Sequence, residues 1–254
     1  SGGEKDEIPP VLIKSEPPVN TVLFNEKNVR LYFDEFVQLN NIFSQLIISP
    51  IMDPVPDVIL KGKSVVIKNF PDTLRENSTY VLNFGNSITD ITEKNPSKNF
   101  RYVFSTGTYI DSLYVQGSVV DAFTLEPQQD MYVQLYDSLL DSIPYLRPPR
   151  YLGRTDENGN FKIENIKEGT YKIFALNDIG NNYLFDNPEE VIGFSDTAIH
   201  AVNDSIFPIE LKVFREENPV QYAKFSGEGK RDEFFLSFNL PANNMRISFP
   251  DEAF

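Results

Sequence analysis

The chain has 254 residues, with 23 Lys or Arg against 37 Asp or Glu, which gives a formal net charge of −14. This charge argues against nucleic acid as a partner, because phosphate backbones are bound by clustered basic residues. The sequence contains no Cys, which excludes disulfides, thiolate metal ligands and a cysteine nucleophile. At roughly 150 residues per domain, the length predicts about two domains.

The composition and the residue pattern favour an all-β fold. The sequence holds 21 Phe, 12 Tyr and 18 Pro, and aromatic residues are typical of half-buried strands. Residues 29–33 alternate so that Val29, Leu31 and Phe33 share one face, and residues 79–84 alternate in the same way. Such short runs, separated by Pro- and Gly-containing turns, predict β-sandwiches. Every apolar run is far shorter than the ~20 residues of a membrane-spanning helix.

The pattern divides the chain into four segments. We expect a flexible tether at 1–10, a first sandwich at 11–109 and a second sandwich at 110–215. Residues 216–254 are too few for a further sandwich, so they are either extra strands or the start of a truncated third domain. The Asn-Gly pair within residues 155–161 predicts a β-hairpin, because both turn residues tolerate positive φ.

Short motifs in both predicted sandwiches resemble known modules. Five pieces in order resemble the bacterial Ig-like domain first described in S-layer proteins, over roughly residues 8–108: 8–17, 31–35, 48–50, 77–80 and 104–107. The second unit is similar to the carboxypeptidase-regulatory or transthyretin-like sandwich, through GSVVDA at 117–122, TDENGNF at 155–161 and NIKEGTY at 165–171. These resemblances imply structural and interaction modules with no catalytic residues.

The two modules in this order resemble lipid-anchored, Ig-like domain-containing envelope proteins of Gram-negative bacteria. The resemblance implies an extracytoplasmic protein at the outer membrane, either periplasmic or surface-exposed, that contacts the membrane only through an N-terminal lipid. Because such proteins carry a Ser/Gly-rich tether after the lipidated Cys, Ser1-Gly2-Gly3 is read either as that tether or as a tag remnant. The start of the chain, without Met or an apolar leader, is read as a mature or trimmed product.

One loop has the spacing of a calcium-binding loop. With Asp178 as position one, Asn182, Asp186 and Glu189 fall at positions five, nine and twelve, where oxygen ligands can wrap a Ca²⁺ ion. However, Gly180 and Tyr183 occupy positions three and six, where an EF-hand has Asp or Asn and Gly. The alternative is a solvent-facing loop that caps itself through Asx turns. Calcium is the one possible cofactor that the sequence suggests. Asp156, Asn158 and Asn160 also mimic the start of a calcium loop, but the Asn-Gly turn explains them.

A second candidate is a ligand-binding face built from loop residues. The long connection at 138–150 is stiffened by Pro and carries Arg147 and Arg150. Aromatic rings in or beside loops can stack on a ligand, which singles out Tyr145, Tyr151 and Tyr183. Ordinary packing beneath the loops is the alternative reading.

We found no catalytic residues in the sequence. His200 is the sole imidazole, and no Gly-x-Ser-x-Gly motif accompanies it. The adjacent acids at 34–35 and 189–190 would point to opposite faces of a strand and could not flank one bond. The sequence therefore predicts a non-catalytic envelope protein whose sandwiches act as spacer and interaction modules, with a protein or glycan as partner. The alternatives are an accessory glycan- or peptide-binding protein, with or without calcium, and, less favoured, a hydrolase.

Overall fold

The computed structural model describes residues 7–202, 208–216, 223–228, 234–238 and 241 of the chain. These residues form an almost entirely β structure, which confirms the predicted fold class. The helical elements among them are a four-residue helix, α1 (Ile42–Gln45), and one 3₁₀ turn (Ile143–Tyr145). No helix in the described part of the chain is long and apolar enough to cross a membrane.

The first sandwich contains nine strands in three sheets. The sheets run β1-β2-β6-β5, β4-β7-β9 and β3-β8, and all of these strand pairs are antiparallel. The strands are β1 (Leu12–Glu16), β2 (Asn28–Phe33), β3 (Val37–Leu39), β4 (Ile47–Ser49), β5 (Asp57–Leu60), β6 (Ser64–Lys68), β7 (Thr79–Asn83), β8 (Ile88–Asp90) and β9 (Arg101–Ser105).

The alternation seen in the sequence builds the core of this sandwich. Val29, Leu31 and Phe33 of β2 are all buried, whereas Arg30 and Tyr32 between them face outward and are half-buried. The core also contains a group of packed aromatic rings, in which the separations between ring centroids run from 3.9 to 5.6 Å: Phe24, Phe70, Tyr80 and Phe104. Burial of such large side chains is the main source of stability in a domain of this size.

The second sandwich contains eight connected strands, seven along one continuous path and one beside it. The order is β12-β11-β14-β15-β17-β10-β13, and β16 pairs with β14. The β10–β17 pair is parallel. The strands are β10 (Leu113–Asp121), β11 (Tyr132–Tyr136), β12 (Tyr151–Arg154), β13 (Asn160–Ile166), β14 (Gly169–Leu176), β15 (Val191–Phe194), β16 (Ile199–Ala201) and β17 (Ile209–Arg215).

This sandwich has a hydrophobic core of its own, separate from that of the first. The first and last strands of this sandwich in chain order contribute to this core. Val119 of β10 and Leu211 of β17 are fully buried and belong to the same cluster. The close β10–β17 pairing depends on Gly117, because a Cβ at that position would lie 1.8 Å from the carbonyl oxygen of Ile209.

The predicted hairpin at residues 155–161 is wrong in its strand pairing. The tight turn exists, since Gly159 has φ of +73° and its N–H donates to the Asp156 carbonyl. However, the flanking strands β12 and β13 pair with β11 and β10 respectively, and not with each other. The turn instead joins strands that pack across the core, where a Cβ on Gly153 would lie 2.7 Å from Ile163 Cγ1.

Contacts divide the chain into two compact units, Ser1–Arg215 and Glu216–Phe254. In the second unit, the described residues form the antiparallel pair β18 (Ala223–Glu228) and β19 (Phe234–Phe238). The strand expected at 245–249 lies outside the described residues, so the choice between extra strands and a truncated domain stays open.

Candidate functional site

The two sandwiches meet at a junction of buried polar groups. Thr79 of β7 is 0% exposed and Asp111, in the connection before β10, is 7% exposed. The Thr79 hydroxyl donates to the Asp111 carboxylate, and the Asp111 N–H donates back to the Thr79 hydroxyl oxygen, both at 2.8 Å. The Asn165 side-chain amide donates to the Asp111 carbonyl at 2.8 Å. Because a buried polar group is costly without its partner, these bonds fix one relative position of the sandwiches.

A second set of hydrogen bonds crosses the junction farther out. Arg101 of β9 donates from Nη2 to the Asn165 side-chain oxygen at 2.6 Å, and its Nη1 also pairs with Glu164. Strand β12 of the second sandwich also bonds to the first sandwich. The Leu152 N–H donates to Ser49 Oγ at 3.0 Å, and Arg154 donates to the Ser44 carbonyl at 2.6 Å. The junction is therefore held at several points whose geometry depends on both sandwiches.

A polar cleft of about 990 Å³ opens between the two sandwiches. Its described lining includes four basic and five acidic side chains, which come from both sandwiches, together with several Asn and Gln amides. The most prominent ring in it, Tyr132, is covered by the Arg154 guanidinium at 4.7 Å and by the edge of Tyr183 at 5.3 Å. Such a lining suits a polar ligand of low net charge better than an apolar molecule or a polyanion.

The loop at 177–190 is organised by two buried carboxylates. Asp178 accepts backbone N–H groups of Asn182 and Tyr183 at 3.4 and 2.7 Å. Glu190 is 0% exposed, and it accepts the N–H groups of Ile179, Asp186 and Asn187 at 3.0 to 3.2 Å. These contacts satisfy backbone groups that the loop would otherwise leave unpaired.

The structure brings together some of the predicted calcium ligands and separates another. Asn182 donates to the Asp186 carboxylate at 2.8 Å, close to Asp178, but Glu189 is turned to Arg215, with which it forms an exposed ion pair. Glu190, one position later, occupies the interior of the loop, and sequence counting missed it. Within the described residues, no three His, Cys, Asp or Glu side chains are grouped as a metal site.

No finding tests calcium binding by this loop, and its hydrogen bonds favour the self-capped alternative. Both oxygens of Asp178 already accept backbone N–H groups, so a cation would have to displace them. We expect equal melting midpoints in millimolar Ca²⁺ and in chelator, because binding to the folded state alone would add RT ln(1 + [L]/Kd) to stability. A higher midpoint in Ca²⁺ that Asp186→Asn abolishes would restore the calcium site.

The predicted loop aromatics have different surroundings. Tyr145 is exposed on the 3₁₀ turn and packs edge-on against Phe185 at 5.1 Å. Burial, followed by the neighbouring Tyr132 and Asp178, raises the pKa of Tyr183. Tyr151 lies within β12 and is 1% exposed, so its ring is covered by packing and is closed to a ligand.

Arg147 and Arg150 both contact Asp137, at 2.8 and 2.9 Å. Burial alone would raise the pKa of the Asp137 carboxyl, but the hydrogen bond from Arg150 and the charges of the nearby arginines outweigh burial and lower it. A third arginine, Arg75 of the first sandwich, lies 3.8 Å from the same carboxylate. The sequence singled out two of these three arginines.

His200 lies on β16 with its side chain exposed, and its Nδ1 is 3.0 Å from Thr170 Oγ1. In the described part of the chain, no carboxylate forms a hydrogen bond or ion pair with the imidazole. A hydroxyl–His–carboxylate triad, which a hydrolase of this type requires, is therefore not assembled among these residues.

Comparison with protein families identifies the first sandwich. Residues 6–106 match the family described as the bacterial Ig-like domain. The first sandwich is therefore similar to bacterial Ig-like domains over residues 6–106. Such domains are typically non-catalytic parts of surface or structural proteins, and they indicate an extracellular or cell-surface protein. The likeness of the second sandwich to carboxypeptidase-regulatory domains stays a prediction.

No curated protein matches the chain significantly. Among solved structures, it is similar to BcpA, the major pilin subunit of Bacillus cereus, with 14% identity over 80% of this chain and 70% of that chain and a TM-score of 0.24. A substituted variant of BcpA gives a TM-score of 0.25 at the same identity and coverage. The T6 backbone pilin of serotype M6 Streptococcus pyogenes gives 11% identity over 57% of this chain and 42% of that chain, with a TM-score of 0.18.

Proposed function

We propose that the protein is a non-catalytic, lipid-anchored envelope protein whose two sandwiches form a rigid spacer that presents loops to a partner outside the cytoplasm. The buried Thr79–Asp111 pair carries this proposal. A spacer holds its loops at a fixed distance from its anchor only if its modules keep one orientation. Buried hydrogen bonds that cross the junction provide that constraint.

The partner would be bound by loops on the second sandwich. The connection at 137–150 and the loop at 177–190 meet where the Phe185 N–H donates to the Pro144 carbonyl at 2.9 Å. These two loops also carry exposed apolar side chains, among them Leu139, Leu140 and Ile179. Loops on a rigid scaffold need no reactive residue to bind a protein or a glycan.

Localisation of the product of the full reading frame tests the proposed setting. We expect it in the outer-membrane fraction, with incorporation of labelled fatty acid. Digestion of whole cells by protease then distinguishes a surface-exposed protein from a periplasmic one. Recovery in the cytosolic fraction without fatty acid would contradict the proposal.

The polar cleft favours a second candidate function, an accessory protein that binds an oligosaccharide or a polar peptide. Lys98 of the first sandwich and Asn177 of the second are exposed lining residues of the cleft. Capture of a neutral oligosaccharide on a glycan array by the wild type, lost in Lys98→Ala/Asn177→Ala and kept in the remote Lys61→Ala, would support this function. Equal capture by all three proteins would place the binding elsewhere.

A further inference from the structure

Three arginines converge on one carboxylate beside the junction. Asp137 follows β11 directly, and its Oδ1 accepts from Arg147 Nη2 at 2.8 Å, while its Oδ2 accepts from Arg150 Nη1 at 2.9 Å. Arg75, from the loop before β7 of the first sandwich, approaches Oδ2 to 3.8 Å. This arginine cluster, Arg75, Arg147 and Arg150 around Asp137, thus takes residues from both sandwiches.

The cluster has a surplus of two positive charges, since three guanidinium groups face one carboxylate. Among the ion pairs of the described residues, these three arginines have no other carboxylate partner. Such a surplus is unusual in a chain of net charge −14, because acidic side chains are plentiful enough to pair each arginine. Like charges held this close repel one another unless a further anion joins them.

Most hydrogen-bond donors of the cluster have no protein acceptor. Each guanidinium carries five N–H donors, whereas the described side-chain bonds of these groups are the two to Asp137 and one between Arg150 and Tyr151. The side chains of Arg75 and Arg147 are each 47% exposed. Their remaining donors are therefore accessible to an anion from solvent.

The backbone on both sides of the cluster is fixed. The Arg75 N–H donates to the Tyr80 hydroxyl oxygen at 2.8 Å, and the Arg75 carbonyl accepts the Thr106 hydroxyl at 2.7 Å. The Arg150 N–H donates to the Leu135 carbonyl at 2.8 Å, and its guanidinium lies 5.5 Å from the Tyr151 ring centre. The arginines are thus held near one another before any ligand arrives, which lowers the entropy cost of binding.

We propose that Arg75, Arg147 and Arg150 form a binding site for a phosphate monoester, with Asp137 as the internal counter-ion that the three guanidinium groups share. A phosphate monoester carries a charge of about −1.5 to −2 at pH 7, which balances the surplus of the cluster. Arginine also matches phosphate oxygens in a bidentate geometry. The site does not depend on the spacer role, so its failure would leave that proposal standing.

Calorimetric titration of the full chain at low ionic strength tests this site, with inorganic phosphate, glucose 1-phosphate and inorganic sulfate as probes. We expect one phosphate per chain, and tighter binding of glucose 1-phosphate if a sugar phosphate is the ligand. Equal affinity for inorganic phosphate would indicate that the phosphate group alone is recognised. Inorganic sulfate is a dianion of similar size, so sulfate binding as tight as that of both phosphates would overturn the assignment to phosphate. No binding by inorganic phosphate or by glucose 1-phosphate would overturn it as well.

Variants separate this site from a purely structural cluster. Arg75→Gln and Arg147→Gln should each weaken phosphate binding about tenfold or more, since each removes a charged hydrogen-bond donor. Asp137→Asn should strengthen it, because the variant removes the competing carboxylate. Arg215→Gln, at an arginine paired with one glutamate, should leave the affinity unchanged. Equal affinity in the wild type and Arg147→Gln, or unchanged or weaker binding by folded Asp137→Asn, would contradict the proposal.

Discussion

Replacement of Glu190 by Ala is expected to lower the free energy of unfolding by roughly 3 kcal/mol or more, because each of the three hydrogen bonds to its charged carboxylate contributes about 1.5–3 kcal/mol. The Glu190 carboxylate accepts three backbone N–H groups and is fully buried. Urea unfolding followed by far-UV circular dichroism measures the change. The loop at 177–190 should also become a preferred site of proteolysis.

The adjacent residue provides the matched control. Glu189 forms an exposed ion pair with Arg215, and exposed pairs contribute about 0–1 kcal/mol. Glu189→Ala should therefore leave the urea midpoint almost unchanged. If Glu189→Ala and Glu190→Ala destabilised the chain equally, the assignment of Glu190 as the residue that organises the loop would fail.

Replacement of Thr79 by Val is expected to loosen the junction between the sandwiches. Valine has nearly the same shape as threonine but lacks the hydroxyl that both donates to and accepts from Asp111. Since the Asp111 carboxylate is left buried without this donor, we expect a loss of about 1–3 kcal/mol. Differential scanning calorimetry should show one transition for the wild type and a broadened or split transition for the variant.

Thr170→Val serves as the control for this substitution, because the Thr170 hydroxyl is near an exposed His200 side chain and not in a junction. Surface substitutions of this kind usually change stability by about 0.5 kcal/mol or less. A Thr79→Val protein with the melting profile of the wild type would show that the hydroxyl does not hold the sandwiches together.

Local pattern predicted the strands well, because the buried face of a strand is encoded within five or six residues. The alternation of Val29, Leu31 and Phe33 is enough to define the inner face of β2. Strand pairing is a long-range property, and here local reasoning failed once. The turn at 155–161 was recognised, but the partners of its two strands, β11 and β10, are set by core packing that a short window of sequence does not contain.

The candidate site was predicted only in part, because some of its residues are neighbours in the sequence and others meet only in the fold. Arg147 and Arg150 share one loop and could be singled out, whereas Arg75 reaches Asp137 from the other sandwich. Position counting selected Glu189, and only the folded loop shows that Glu190 is the buried one. The Thr79–Asp111 pair spans 32 residues of sequence and carries no motif, so only the fold reveals it.

The central claim is that the Ig-like domain and the second sandwich form one rigid body. Amide ¹⁵N relaxation of the uniformly labelled chain tests it most directly, because the relaxation rates report how each domain tumbles. We predict that residues in β2, β7 and β9 and residues in β10, β13 and β14 fit one rotational diffusion tensor with one correlation time. Two distinct tensors, each with the shorter correlation time of an independent domain, would contradict the account.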